Sequence, residues 1–206
     1  MIDHYDWPGG REAMMRFGPA GGPVVVAALP LFEEANRTRA FMVTILRGLA
    51  SRGIASALPD LPGQGESLLP TGAARLAAMR NAFAAVPGAY TIAIRSGALL
   101  DAGARKGRWH LAPQPGADLV RELERVRQAG EAEDFAGNII SPEFLVELVG
   151  AEPDPARVVR LESDARPADL TVPGAPQWRR AEPDNDLVLA ALLADDIAAW
   201  IRACEG

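Results

Sequence analysis

Three runs of β-branched and other apolar residues limit this chain to a small set of folds. They read VVVAALPL at residues 24–31, IASALPDL at 54–61 and YTIAIRS at 90–96. Continuous apolar runs of this length are typical of strands that are buried on both faces of a parallel sheet. Segments of helical length separate the runs, so we predict βαβ crossovers and a mainly parallel sheet with helices on both faces.

The segments between and after these runs have the spacing or the composition of helices. Phe41, Ile45 and Leu49 recur on one helix face, and Gly53 follows where a helix commonly ends. Helices are also predicted at 73–86, at 97–103, at 117–128, after Ser141 and after Asp186, and further strands at 11–17, 107–113, 156–163 and 168–172. We expect a single domain over residues 1–206, with a short cap-like insert at about 114–150.

The composition restricts the partners and the location of the chain. Its 206 residues are 49% hydrophobic and 23% charged, as is ordinary for a soluble globular domain. The net charge of −6 argues against nucleic-acid binding, because phosphate contacts require a basic face. Since the sequence has no apolar run of about 18 residues and no apolar N-terminal core, we predict no membrane span and no signal peptide. The one cysteine, Cys204, is typical of a reducing compartment, and a cytoplasmic location is expected.

No cofactor and no metal site is predicted. A dinucleotide site requires G-x-G-x-x-G between a strand and a helix, whereas GPAGGP at 18–23 precedes a strand and PGQGES at 62–67 lacks a third glycine in register. His4, His110 and Cys204 are too few and too far apart in the sequence to form a closed His/Cys metal site.

The turns that follow the three apolar runs resemble those of a known family. They read PLFEEANRTRAF at 30–41, LPDLPGQGES at 58–67 and IRSGALL at 94–100. In this order they resemble α/β-hydrolases and, more narrowly, the small α/β-hydrolase-like proteins that accompany the exosortase A system of bacterial exopolysaccharide export. The likeness is specific over residues 32–67 and looser in the later segments. It implies an α/β-hydrolase-like fold and points to exopolysaccharide production as the context.

Such a fold places a catalytic serine in the frame Gly-x-Ser-x-Gly on a sharp strand-to-helix turn, and an acid and a histidine follow along the chain. Here the frame reads AIRSG, so that Arg95 stands at the nucleophile position. A guanidinium stays protonated and does not attack a carbonyl. The resemblance assigns the acid position to Asp164, and Gln177 or Trp178 occupies the position that requires a histidine.

The resemblance also implies an oxyanion hole and a pocket beside this turn. The backbone donors would be the N–H of Ser96 and the N–H of Leu31 or Phe32. Further pocket candidates on the loop after the first apolar run are Glu33, Glu34 and Asn36.

Two interpretations of Arg95 are open at this point. Its guanidinium pairs with Glu33 or Glu34, because a buried charge needs a partner, or it binds a small anionic ligand together with backbone N–H groups.

We therefore predict a protein with an eroded catalytic triad that binds a small anionic ligand or a protein partner. The alternative is an active carboxylic-ester or thioester hydrolase with Ser96 as nucleophile, His110 as base and Asp164 as acid. Ser96 lies one residue after the nucleophile position and His110 ends the next strand, so the alternative depends on the geometry of this pair. A purely structural role is expected if side chains fill the pocket.

Overall fold

A computed structural model of the protein describes residues 1–101, 105–127, 134–135 and 137–206. The strands are β1 (Ile2–Trp7), β2 (Gly10–Phe17), β3 (Val24–Ala28), β4 (Ala55–Pro59), β5 (Tyr90–Ile94), β6 (Gly107–Leu111), β7 (Asp134–Phe135), β8 (Asn138–Ile139), β9 (Arg157–Leu161) and β10 (Leu170–Val172). The α-helices are α1 (Glu33–Ser51), α2 (Leu76–Ala85), α3 (Gly116–Val126), α4 (Pro142–Val149) and α5 (Leu187–Glu205).

The main sheet has eight strands in the order β1-β2-β4-β3-β5-β6-β9-β10. Six neighbouring strands of this sheet pair in parallel, namely β4, β3, β5, β6, β9 and β10. The antiparallel β1–β2 hairpin lies at one edge, where β2 pairs with β4 in antiparallel orientation. The three apolar runs form β3, β4 and β5, which lie side by side. This arrangement confirms the predicted α/β fold with a mainly parallel sheet.

Successive residues of β3 face two separate apolar layers. Val25 and Ala27 belong to the layer that contains α1 and α5, whereas Val26 and Ala28 belong to the layer that contains α2, α3 and α4. Helices therefore cover both faces of the sheet, which explains why β3 is apolar at every position and why β4 and β5 are mostly apolar.

The connection from β6 to β9 contains α3, a two-stranded hairpin of β7 and β8, and α4. α3 packs closely on α4, because an added Cβ at Gly116 would lie 1.8 Å from the carbonyl oxygen of Leu148. The sequence does not predict the hairpin. That the segment at 114–150 is a cap-like insert stays a prediction.

The structure corrects the helix that the sequence predicts at 97–103. A 3₁₀ helix from Arg95 to Leu99 follows β5 instead, and residues 102–104 lie outside the described part of the chain. The Asp101 carboxylate is buried, where it accepts a hydrogen bond from Thr91 of β5 and pairs with His110 of β6. These contacts hold the chain against the sheet soon after the 3₁₀ helix ends.

Gly97 lies directly against the end of β3, and this contact generates a testable prediction. An added Cβ would lie 2.6 Å from the carbonyl oxygen of Leu29 and 2.7 Å from that of Ala28, and backbone atoms cannot rotate away. We expect Gly97→Ala to lower the free energy of unfolding by about 1–3 kcal/mol, as overpacking of a buried site does. Gly150→Ala is the control, because its Cβ would meet nothing within 4 Å. Equal stability of the two variants in chemical denaturation would contradict this close approach.

Candidate functional site

The backbone at the end of β5 makes the sharp turn that the resemblance implies. Arg95 has a φ of 54°, in a region that non-glycine residues rarely adopt, and Phe32 on the loop after β3 has a φ of 59°. Such conformations cost on the order of 1–3 kcal/mol each and persist only where the surrounding structure holds them. The turn is thus present although an arginine stands at the nucleophile position.

The guanidinium of Arg95 is buried and paired with two carboxylates. Its Nε and Nη2 donate to the two oxygens of Glu34 at 3.3 Å, and Nη2 also donates to Glu122 at 2.8 Å. The Arg95 side chain is 6% exposed. The predicted ion pair is confirmed with Glu34, whereas Glu33 lies at the surface, where Asn36 donates to it at 3.4 Å.

Sequence reasoning missed Glu122. It lies on α3 and also accepts a hydrogen bond from Gln114 at 2.9 Å. α3 buries Leu119 and Leu123. Glu122 follows Leu119 by three residues, and this spacing, which places it beside the buried face, is the signal that could have identified it.

The charge state of Glu34 depends on Arg95. Burial raises the pKa of the Glu34 carboxyl, and the nearby Arg95 guanidinium opposes this effect only in part. The carboxylate therefore needs the cation to stay ionised, and the buried cation needs carboxylates to compensate its charge.

Trp178, one of the two residues predicted at the histidine position, packs against Arg95. The guanidinium carbon lies 5.4 Å from the centroid of the indole ring, within the range of a cation–π interaction. The neighbouring Gln177 donates from Nε2 to the carbonyl of Ala175 at 2.9 Å. Neither an indole nor a carboxamide serves as a general base at neutral pH.

Ser96 is buried, and its hydroxyl contacts the backbone of the facing loop. Its Oγ accepts a hydrogen bond from the N–H of Leu31 at 2.9 Å. Leu31 is one of the predicted oxyanion donors, so this N–H already has an acceptor within the protein. A substrate oxygen would reach it only after the Ser96 hydroxyl had moved away.

His110 lies beside Ala93 in the sheet and is 1% exposed. Its Nε2 is 3.1 Å from Oδ2 of Asp101, and its Nδ1 has no hydrogen-bond partner among the described residues. Ser96 bonds Leu31 and His110 bonds Asp101. Within the described residues, no hydrogen bond joins Ser96 to His110.

Asp164 follows β9 and binds two arginines. Arg160 donates to its Oδ2 at 2.8 Å, and Arg166 donates to Oδ2 at 2.7 Å and to Oδ1 at 2.9 Å. The hydrogen bonds from Arg166, together with those from Arg160, hold the pKa of this carboxyl well below its usual range. Both oxygens of the predicted acid are thus occupied by guanidinium groups.

Two cavities flank the ion pairs of Arg95. The first, which we name the elbow cavity, has a volume of about 290 Å³, and the second has about 190 Å³. Arg95 lines the elbow cavity, whereas Glu34 and Glu122 line the second, so the ion pairs separate the two spaces. The elbow cavity is lined by Arg95, Ala112, Leu161, Ser163, Asp164, Ala165, Arg166, Pro176, Trp178 and Arg179.

In the described part of the chain, no group of three His, Cys, Asp or Glu side chains is arranged to hold a metal ion. In the same residues, no helix is both long and apolar enough to cross a membrane.

Comparison with solved structures identifies the fold. The chain is similar to the esterase domain of a Rhodothermus marinus protein, with 17% identity, a TM-score of 0.63 and 98% of each chain covered. It is also similar to Est1E from Butyrivibrio proteoclasticus with ferulic acid bound, at 12% identity, a TM-score of 0.63 and 98% of each chain. A thermophilic esterase from Thermogutta terrifontis with malate bound matches at 14% identity, a TM-score of 0.59 and 100% of each chain.

The protein therefore has the α/β-hydrolase fold. At these identities the likeness shows the fold alone, because the same fold supports many activities. No family model and no curated protein matches the sequence.

Removal of Arg95 should strand a buried carboxylate. We expect Arg95→Ala to lower the free energy of unfolding at pH 7 by about 3 kcal/mol, the lower end of the range for a broken buried pair, because the Glu34 side chain keeps 18% exposure. Arg11→Ala is the control, since Arg11 pairs with Asp6 at the surface and the expected change is below about 1 kcal/mol. Chemical denaturation of both variants measures the difference.

The effect of Arg95→Ala should also depend on pH. Because the folded-state pKa of Glu34 is raised, its ionisation disfavours the folded protein as the pH rises through that pKa. Loss of Arg95 raises the pKa further, since the principal opposing charge is gone. The destabilisation should therefore shrink as the pH falls from neutrality toward the ordinary glutamate value of 4.5. A destabilisation that does not change with pH would contradict an ionised Glu34 beside Arg95.

Proposed function

We propose that this α/β-hydrolase-fold protein does not hydrolyse esters and acts as a binding or accessory protein. The observation that carries the proposal is the buried Arg95 at the nucleophile position, held by Glu34 and Glu122. A guanidinium remains protonated and cannot attack a carbonyl. In this proposal residues 1–206 form a single domain with a cap-like insert at about 114–150.

The other expected triad positions support the same proposal. Asp164 is bound by Arg160 and Arg166 rather than by a histidine, and Trp178 stands where the base is expected. Loss of any one member of such a triad leaves only roughly 10³–10⁴-fold catalysis over water. Here both the nucleophile and the base positions hold other residues.

The backbone beside Arg95 also disfavours acyl transfer. The N–H of Leu31 donates to Ser96 Oγ and is not presented to a substrate. Oxyanion donors contribute to catalysis only when they point to the place where negative charge develops.

The cellular context in the proposal is exopolysaccharide production in the cytoplasm. It is supported by the residues at 32–67, which resemble the exosortase-associated hydrolase-like proteins, and by the composition and single cysteine of the chain. The identity of the genes that flank its coding sequence tests this context.

An assay with short-chain aryl esters tests the non-hydrolytic role. We expect the wild type to show no turnover that Ser96→Ala removes, and no labelling of Ser96 by a fluorophosphonate. The reason is that the Ser96 hydroxyl contacts Leu31 and not His110 within the described residues. Ser163→Ala, at an exposed serine of the elbow cavity, is the control.

Turnover that Ser96→Ala abolishes and Ser163→Ala leaves intact would establish the alternative, an ester or thioester hydrolase based on Ser96. Because Ser96→Ala leaves the Leu31 N–H without its acceptor, a loss of about 1–3 kcal/mol in stability is expected. The assay temperature must therefore lie well below the melting temperature of the variant.

Serine at position 95 should not restore hydrolysis by itself. Arg95→Ser supplies a nucleophile but no base, so we expect background activity from this variant. Arg95→Ser/Trp178→His places an imidazole where the indole ring now covers residue 95, and its activity should exceed that of the single variant. Arg95→Ser/Gln177→His is the matched control, since Gln177 contacts Ala175 instead of Arg95.

Activity of Arg95→Ser alone would contradict this prediction and identify an additional base. His110 on the neighbouring strand would then be the first residue to replace.

A further inference from the structure

Two arginines that line the elbow cavity have N–H groups that form no hydrogen bond or ion pair with the described residues. Nε and Nη2 of Arg95 bind carboxylates, whereas Nη1 donates no hydrogen bond within the described part of the chain. Arg179 is exposed where it lines the cavity and forms no ion pair with the described residues. One buried and one exposed guanidinium, each with N–H groups that bond no described residue, thus line the same cavity.

The charges around the cavity do not cancel. The charged lining residues are Arg95, Asp164, Arg166 and Arg179. Their ion-pair partners outside the lining are Glu34, Glu122 and Arg160. Four guanidiniums and three carboxylates leave one positive charge, which a single monoanion neutralises. A dianion would exceed this charge and be repelled by the Asp164 carboxylate.

The size and the walls of the cavity restrict the ligand further. Its volume of about 290 Å³ is close to the lower limit of small-molecule sites, which is about 300 Å³. Trp178, Leu161 and Pro176 give it apolar walls beside the arginines. These properties favour a small molecule with one negative group and an apolar part.

We propose that the elbow cavity binds a small monoanionic carboxylate, with Arg95 Nη1 and Arg179 as its cationic contacts and Trp178 against its apolar part. This inference rests on the proposed binding role of the protein. The ion pairs with Glu34 and Glu122 already hold the Arg95 guanidinium in place. The guanidinium therefore loses little further conformational freedom when the ligand binds.

Calorimetric titration with benzoate and benzamide at constant ionic strength tests the site. The two probes have nearly the same shape, but only benzoate is charged. We expect saturable benzoate binding and at least about tenfold weaker binding of benzamide, because a hydrogen bond to a charged group is lost. Arg179→Gln should weaken benzoate binding by about tenfold for the same reason. Arg180→Gln is the matched control, since Arg180 pairs with Asp184 and does not line the cavity.

Several results would overturn the proposal. Equal weakening in both arginine variants would indicate general surface attraction, and equal affinity for benzoate and benzamide would exclude charge recognition. Absence of saturable binding of both benzoate and acetate would exclude the site. If inorganic phosphate binds more tightly than benzoate and its binding also weakens in Arg179→Gln, the ligand of the cavity is a phosphate and not a carboxylate. Ester hydrolysis by the same preparations tests the non-hydrolytic role separately, because benzoate binding and ester cleavage are independent measurements.

Discussion

The charge of Arg95 is the constraint around which the end of the parallel sheet is organised. A guanidinium that leaves water needs carboxylates close by, and two arrive from different elements, Glu34 from the first turn of α1 and Glu122 from α3. These helices pack on opposite faces of the sheet, so the ion pairs connect both layers at the elbow. Glu34 also benefits from its place in the first turn of a helix, where partial positive charge stabilises a carboxylate.

The sharp turn after β5 is formed with an arginine at its centre. The positive φ of Arg95, the contact of Gly97 with the end of β3 and the bond from Leu31 to Ser96 depend on backbone shape and small side chains, not on a nucleophile. A fold similar to that of esterases can therefore carry a site that differs in its ionisable groups. Activity is a property of those groups and their arrangement, and fold likeness does not transfer it.

The positive charge around the elbow cavity comes from arginine side chains and not from a helix dipole. In the described part of the chain, the element that follows β5 is a 3₁₀ helix of five residues, too short for a sizeable dipole at its N-terminus. Arg95, Arg166 and Arg179 place formal charges around the elbow cavity instead. In the anion site that we propose, the donors are present before the ligand arrives.

Continuous apolar runs were enough to predict β3, β4 and β5 from the sequence, because burial on both faces of a sheet selects apolar residues in succession. Helical spacing predicted α1, because burial on one face of a helix selects apolar residues at regular intervals. The resemblance placed Arg95 on the turn after β5, where the structure has a positive φ, whereas its assignment of Gln177 or Trp178 to the histidine position stays a prediction. The exposed strand β1 and the β7–β8 hairpin left no such pattern. Only the tertiary structure decided that Arg95 pairs with Glu34 and Glu122 beneath Trp178. Adjacent residues on a helix point about 100° apart, so packing of α1 against the sheet determines that Glu34 faces the arginine and Glu33 faces solvent.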